Sequence, residues 1–351
     1  MEGILLHFLF PTLDALHLTL TEKLKNPSPN PRKKPQYKVS NWTEYNKSLK
    51  KRGEVSLYFP PGEIKPHFIN ETSYIKGISG QQSTYKQPYV ELIYTFYRLF
   101  NWGIRQMTGF FEDLWRTKNL DIPVPSFGHL SDLFSSLPIK VRQFCENLAR
   151  RIDKGEPISL IFDSTGLRFG KAIHWYQTKY GKPCHQKPWR KMHLSMDPQM
   201  NVHGVDITQT EVADSDVMED LIPDEIAILL EKVIADGGYY SKELVENLYN
   251  KGIIPAIPPP SHATVQGKDN TKWHDKIIKY IKKKGTVYAF HKKYGYGIRS
   301  RIEAQFSRIK RCIGSSLKTQ RIDSQKREGI IIGNIINKWN SFGQCVCVKT
   351  A

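Results

Sequence analysis

The sequence predicts an α/β fold preceded by a helical N-terminal region, on three observations. Short apolar runs at Ile158–Phe162, Val233–Ala235 and Ile253–Ile257 have the length and branched content of buried strands. Between the last two, Ser241 to Asn250 has helical spacing, with Ser241 as a cap and Glu243 in the first turn. Upstream, Pro88 to Leu137 repeats apolar residues every three or four positions. Strands that alternate with helices argue for an α/β core.

In chain order, the first twenty residues are apolar, but the chain opens Met1-Glu2 where a signal peptide would be basic. Pro11 and Asp14 interrupt the run, so a membrane span is not expected. Asn26 to Pro35 is composed like a linker, and residues 1–36 are expected to be an unstructured leader. From Tyr37 to about Gly80 the chain is basic and turn-rich. Trp42, Tyr45 and Leu49 have helical spacing there, and Val55, Leu57 and Phe59 alternate. In the helical stretch, Val90, Ile93, Tyr94 and Tyr97 line one helix, and Ile104, Met107, Phe110, Phe111 and Leu114 a second. Ser126 caps a third through Leu130, Leu133 and Phe134. Three short helices fit a helix-turn-helix unit or an ordinary bundle equally well, and the third has no Arg or Lys between Phe127 and Leu137.

Lys191–Met196 and Val202–Thr208 flank a turn at Asp197–Asn201, a hairpin pattern. The strand at Ile253–Ile257 is stopped by three prolines. Nine lysines and two aspartates between His262 and Tyr294 give a local charge of +7, with Trp273, Tyr280, Tyr288 and Phe290 interleaved. The expected organisation is a leader (1–36), a helical N-terminal region (37–150), an α/β domain (151–340) and a tail (341–351).

The 351 residues hold 52 Lys plus Arg against 34 Asp plus Glu, a formal net charge of +18. Such an excess points to a polyanion, most simply nucleic acid. The five cysteines form no C-x-x-C pair and their number is odd, which speaks against a disulfide framework or a zinc site and for a reducing compartment. His174, His185, His193 and His203 around Cys184 match no common zinc spacing.

One glutamate, Glu303, sits among Arg299, Arg301, Arg308, Lys310 and Arg311. Steps of four and seven return to nearly the same face of a helix, so Arg299, Glu303 and Lys310 form a stripe of base, acid, base. Tyr296 keeps the same spacing, and Gly295 and Gly297 place it at the helix mouth. Asp163 and Asp236 each follow an apolar strand and precede a small residue, where α/β sheets collect functional groups. Two strand-borne aspartates facing a helical glutamate can hold two divalent cations about 3.5–4 Å apart, with Mg²⁺ or Mn²⁺ suiting an all-oxygen site. Each residue also has a plainer explanation: turn former for the aspartates, an i, i+4 ion pair for Glu303, core for Tyr296. Asp214 and Asp216 follow no apolar strand and look like loop or cap residues.

Tyr296, Arg299, Glu303 and Lys310 fit Y-x2-R-x3-E-x6-K, the signature of DDE transposases of bacterial insertion sequences. The stretches NWTEYNKSLKKRGEVSLYF, FDSTGLRFG, WRKMHLSMD, IADGGYYSKEL and RSRIEAQFSRIKR resemble the insertion-sequence-five family in particular, in family order from Tyr37 to Trp339. The resemblance implies a ribonuclease-H-like core, with Asp163, Asp236 and Glu303 as the metal-binding catalytic triad. It implies that 37–150 is a DNA-binding region and 151–340 the catalytic domain, with a β-rich insertion at about 255–294 before the glutamate helix, and DNA phosphates held by Tyr296, Arg299 and Lys310. It further implies Mg²⁺ or Mn²⁺ as a pair of ions, double-stranded DNA (terminal inverted repeats and target) as partner, a dimer or larger assembly on DNA, and a cytoplasmic, nucleoid-associated location in bacteria. Hairpin-forming relatives trap a flipped base on an aromatic, a role open to Trp273 beside its plainer place in a core. The chain departs from many relatives at Tyr240, where they carry an acid. The implied reaction is cleavage at element ends and 3′-hydroxyl strand transfer. A stand-alone nuclease and an inactive DNA-binding derivative are the alternatives.

Overall fold

The computed structural model describes residues 36–71, 84–170, 181 and 189–350. The chain divides into two compact units: Met1–Thr43 with Cys345–Ala351, and Glu44–Gln344. Among the described residues the strands are β1 (Tyr37–Val39), β2 (Ile158–Phe169), β3 (Trp189–Met196), β4 (Val202–Thr208), β5 (Leu230–Ile234), β6 (Ile254–Ala256), β7 (Ser316–Leu317) and β8 (Cys347–Lys349). In the smaller unit β1 pairs antiparallel with β8, so the expected tail carries a strand. The leader, apart from Gln36, lies outside the described residues, as do His174, Cys184 and His185.

The larger unit is built on one mixed sheet in the order β4-β3-β2-β5-β6, with β7 also paired to β2. β2, β3 and β4 are antiparallel, while β5 runs parallel to β2 and β6 parallel to β5. The central strands are apolar on both faces: Leu160, Ile161, Phe162, Val233 and Ile234 are fully buried. β2 is longer than its apolar start suggests. It continues through Asp163 to Phe169, because Thr165, Leu167 and Phe169 resume the two-residue alternation and β3 pairs with it as far as Arg168. Asp163 is therefore in mid-strand, not at a strand end.

The three expected N-terminal helices are present as α1 (Gln87–Leu99), α2 (Ile104–Thr117) and α3 (Phe127–Ser136), the last capped by the Ser126 hydroxyl, which accepts from the His129 N–H at 3.3 Å. Their aromatic faces interlock. Phe68 stacks on Tyr89, and the Trp115 Nε1–H donates to the Tyr89 hydroxyl at 2.8 Å.

After the core strand β5 come α4 (Lys242–Asn250), α5 (Lys272–Lys284), α6 (Val287–Tyr294), α7 (Ser300–Cys312) and α8 (Ile322–Phe342). The last lies directly on β4. At Gly329 and Gly333 an added Cβ would meet Ile207 Cγ1 at 2.9 Å and Val205 Cγ2 at 3.0 Å, so two glycines one turn apart let the helix backbone approach the sheet. Polar groups follow the same seam: Asn337 Oδ1 accepts from the Val202 N–H and Asn337 Nδ2 donates to Val202 O, both at 2.8 Å.

The insertion before the glutamate helix is helical, which corrects the β-rich expectation. Trp273, Ile277 and Ile278 recur at helical spacing and are buried, while all nine lysines of the stretch are exposed. Glu246 on α4 caps α5, its carboxylate accepting from the Trp273 and His274 N–H groups at 3.1 and 2.8 Å. Gly285, at φ +69°, ends α5 in the left-handed conformation that favours glycine.

Candidate active site

Parallel pairing fixes the first two acids. Ile161 of β2 lies opposite Ile234 of β5, and Asp163 and Asp236 each stand two residues further along. Two residues is one full strand period, so both depart from equivalent points of adjacent strands. Asp236 follows the end of β5, where its Oδ1 accepts from the Gly238 N–H at 2.8 Å and caps the turn Gly237–Tyr239. Asp163 Oδ1 accepts from the Ser164 N–H at 2.9 Å.

The third acid comes from α7. Glu303 lies in its first turn, and the preceding 3₁₀ turn, Tyr296–Arg299, puts Tyr296 at the helix mouth. The Arg299 guanidinium reaches back across the gap. Nη1 donates to Asp163 Oδ2 at 2.9 Å, and Nη2 is hydrogen-bonded to Glu303 Oε1. The i, i+4 pairing expected for Glu303 is thus present, and it extends to the strand acid. Burial raises the Asp163 carboxyl above the usual range. The Ser164 N–H and Arg299 pull it back down, and Asp236 and Glu303 push it up. Tyr296 is half-buried, stacks on His291 at 4.4 Å between centroids, and keeps its proton because burial raises it.

Asp163, Ser164, Thr165, Glu303, Phe306, Ser307, Lys310 and Arg311 line an open cleft of about 610 Å³. Lys310 donates to the Thr165 hydroxyl at 2.7 Å, which aims its ammonium at the same strand face as Asp163. The other bases of the cluster separate. Arg301 is bonded to Pro198 O. Arg308 turns into the protein against Asn340 at 2.7 Å, where burial, then Arg52, pushes it down to about 10.

Trp273 is only 2 % exposed, packed between Tyr249 and Tyr294 in the insertion. As placed it offers no face to a flipped base, which corrects the base-stacking expectation in favour of the core. Tyr240 ties the turn after Asp236 to the insertion, its hydroxyl 2.6 Å from His274 Nδ1.

Two groups that were not expected at the site stand behind the acids. Asp214, expected to be a loop or cap residue, opens a short helix and accepts from Ser164 Oγ at 2.8 Å and Lys191 Nζ at 2.9 Å, so it braces the strand face opposite Asp163. Tyr239 is fully buried, and burial together with Asp214, Asp163 and Asp236 holds its phenol well above the usual range. Only the Gly-Gly-Tyr that follows Asp236 hinted at it. His193, weighed as a zinc ligand, is buried and hydrogen-bonded to Thr208 at 2.8 Å; burial lowers it, so it stays neutral. Among the described residues no three His, Cys, Asp or Glu side chains stand close enough together to hold one metal ion. No helix among them is long and apolar enough to cross a membrane.

Residues 154–337, more than half of the chain, match the family model described as transposase DDE domain, and residues 50–171 match a second model of the same description. The chain belongs to the DDE transposase family. No solved structure matches it.

Proposed function

We propose that the chain is a transposase of the insertion-sequence-five type. In this reading it cleaves DNA at the ends of a mobile element and transfers the freed 3′-hydroxyl into target DNA on a ribonuclease-H-like core. One observation carries the reading: Asp163 and Asp236 stand at equivalent points of adjacent parallel strands, and Glu303 on α7 is linked to the first of them through Arg299. The family match supports the transposase class.

Asp163, Asp236 and Glu303 would hold Mg²⁺ or Mn²⁺. Their fit is chemical: three carboxylates make an oxygen-only donor set, and Asp236 and Glu303 both add negative potential at Asp163. Such ions activate an oxygen nucleophile and stabilise the leaving oxygen when bound. The protein groups orient the polymer. Lys310 and Arg311 line the cleft and hold backbone phosphates, and the Tyr296 phenol donates a hydrogen bond beside them. The nine exposed lysines of the helical insertion would give further contacts to the polymer's phosphates. Residues 37–150 would contribute further DNA contacts, and pairing of two ends requires two or more copies on DNA.

The test is incubation of the full chain with duplexes carrying the inverted repeats that flank its gene, with and without Mg²⁺. Cleavage at the repeat ends followed by joining to a second duplex is expected. Cutting without joining would make it a nuclease, and repeat binding without cutting an inactive derivative.

A further inference from the structure

Arg299 makes two contacts that a purely phosphate-binding arginine would not need. Its guanidinium is only 22 % exposed and spans Asp163, at 13 %, and Glu303, at 54 %. Its Cα is fixed at the junction of the 3₁₀ turn and α7, and it also lies over the Tyr296 ring at 5.9 Å. A planar fork that donates to two carboxylates at once gives them a single positive charge and sets their separation. With that fork in place, no three acids among the described residues converge on one ion. The cleft lined by Asp163 and Glu303 is open and carries two further cations, Lys310 and Arg311.

We propose that Arg299 is a placeholder cation whose release by DNA couples metal loading to substrate binding. This rests on the function proposed above. A backbone phosphate entering the cleft offers the guanidinium a bidentate partner of the same fork geometry as a carboxylate. Arg299 then moves its donors to that phosphate, and Asp163 and Glu303 lose their counter-cation. Their negative charge, together with Asp236, is freed for divalent cations as the polymer arrives. Without DNA, Arg299 occupies the donor oxygens of Asp163 and Glu303, which suppresses metal-dependent attack on chance partners. By linkage, DNA must tighten metal binding by the same factor that metal tightens DNA binding.

The experiment is Mn²⁺ titration of the full chain, with free Mn²⁺ followed by electron paramagnetic resonance, with and without duplex DNA of arbitrary sequence. The proteins are wild type, Arg299→Gln, Arg299→Lys and Asp163→Asn. In wild type the duplex should tighten Mn²⁺ binding by about 5- to 150-fold. Arg299→Gln should bind Mn²⁺ more tightly than wild type without DNA, by at least about tenfold, and lose most of the DNA effect. Arg299→Lys, which reaches one acid at a time, should fall between them. The inference is overturned if Arg299→Gln binds Mn²⁺ no more tightly than wild type while Asp163→Asn abolishes binding. It is also overturned if DNA tightens wild type and Arg299→Gln equally. If Asp163→Asn leaves Mn²⁺ binding untouched in every state, the functional reading fails, and the inference with it.

Discussion

Asp163 and Asp236 lie in matching positions of neighbouring parallel strands, each two residues beyond the paired Ile161 and Ile234. Their side chains therefore leave the sheet together, although the residues are far apart in sequence. Asp163→Asn, Asp236→Asn and Glu303→Gln should each lower Mg²⁺-dependent strand cleavage by more than about 100-fold, beyond what loss of an outer partner costs. Duplex binding, measured by fluorescence anisotropy in EDTA, should stay close to wild type. Full cleavage by any one variant would remove that residue from the site.

Burial dominates at Asp163 and raises its carboxyl in the folded protein. A raised folded value means the folded chain holds this proton more tightly than the unfolded one. The stabilisation is full below the ordinary carboxylate range and is lost as pH rises through the raised value. At pH 7 the ionised group is therefore a net burden despite Arg299, as expected of a functional site. Asp163→Asn should melt higher than wild type at pH 7, by about 2–4 °C for each kcal/mol relieved. The difference should shrink as pH is lowered through the carboxylate range. A lower melting temperature at pH 7 would show that the Arg299 pair outweighs burial.

How much of this was legible in the sequence depends on the range of each interaction. The stripe Arg299, Glu303, Lys310 is local, and a helical period was enough to see it. The strands bearing Asp163 and Asp236 announced themselves by apolar runs, but the run at Phe162 hid the continuation of β2, because Asp163 and Ser164 break the hydrophobic pattern without breaking the ladder to β3. The insertion was assigned from resemblance, although Trp273, Ile277 and Ile278 already had helical spacing. The contacts of Asp214 with Ser164 and of Arg299 with Asp163 could not be foreseen. The partners are separated by 50 and 136 residues, and nothing local sets such contacts.

Gly204 of β4 faces the turn at Leu221. An added Cβ would collide with Leu221 O and lie 2.8 Å from both Leu221 Cα and Ser195 Oγ. Backbone cannot step aside as a flexible side-chain tip can. Gly204→Ala should cost about 1–3 kcal/mol, read as a lower urea midpoint with an unchanged slope. A wild-type midpoint would mean that the turn has room to shift.

Arg98 and Glu328 form a buried pair at 2.6 Å, with side chains 2 % and 0 % exposed. Glu328 also accepts from the Lys318 and Thr319 N–H groups and from the Thr319 hydroxyl, so one carboxylate ties α1 to α8 and to the loop between β7 and α8. Glu328→Ala strands a charged guanidinium and should cost about 3–5 kcal/mol. Replacing both partners with apolar residues should cost less than the single change. Equal losses would mean that the loop contacts, not the charge, carry the effect.

Lys310 and Arg308 are two residues apart on α7 and face different surroundings. Lys310 lines the cleft, and Arg308 is held against Asn340 and the Trp339 ring. If the cleft holds DNA, only the first neutralises a phosphate. Lys310→Met should reduce the slope of log binding constant against log salt by about 1, because one fewer counterion is released. Arg308→Met should leave that slope unchanged and appear in the urea midpoint instead, through loss of the Asn340 bond. Both sit on one helix, so a general disturbance of α7 would alter the two variants alike. A salt slope that moves for Arg308→Met and stays fixed for Lys310→Met would put the DNA on the other face of the helix.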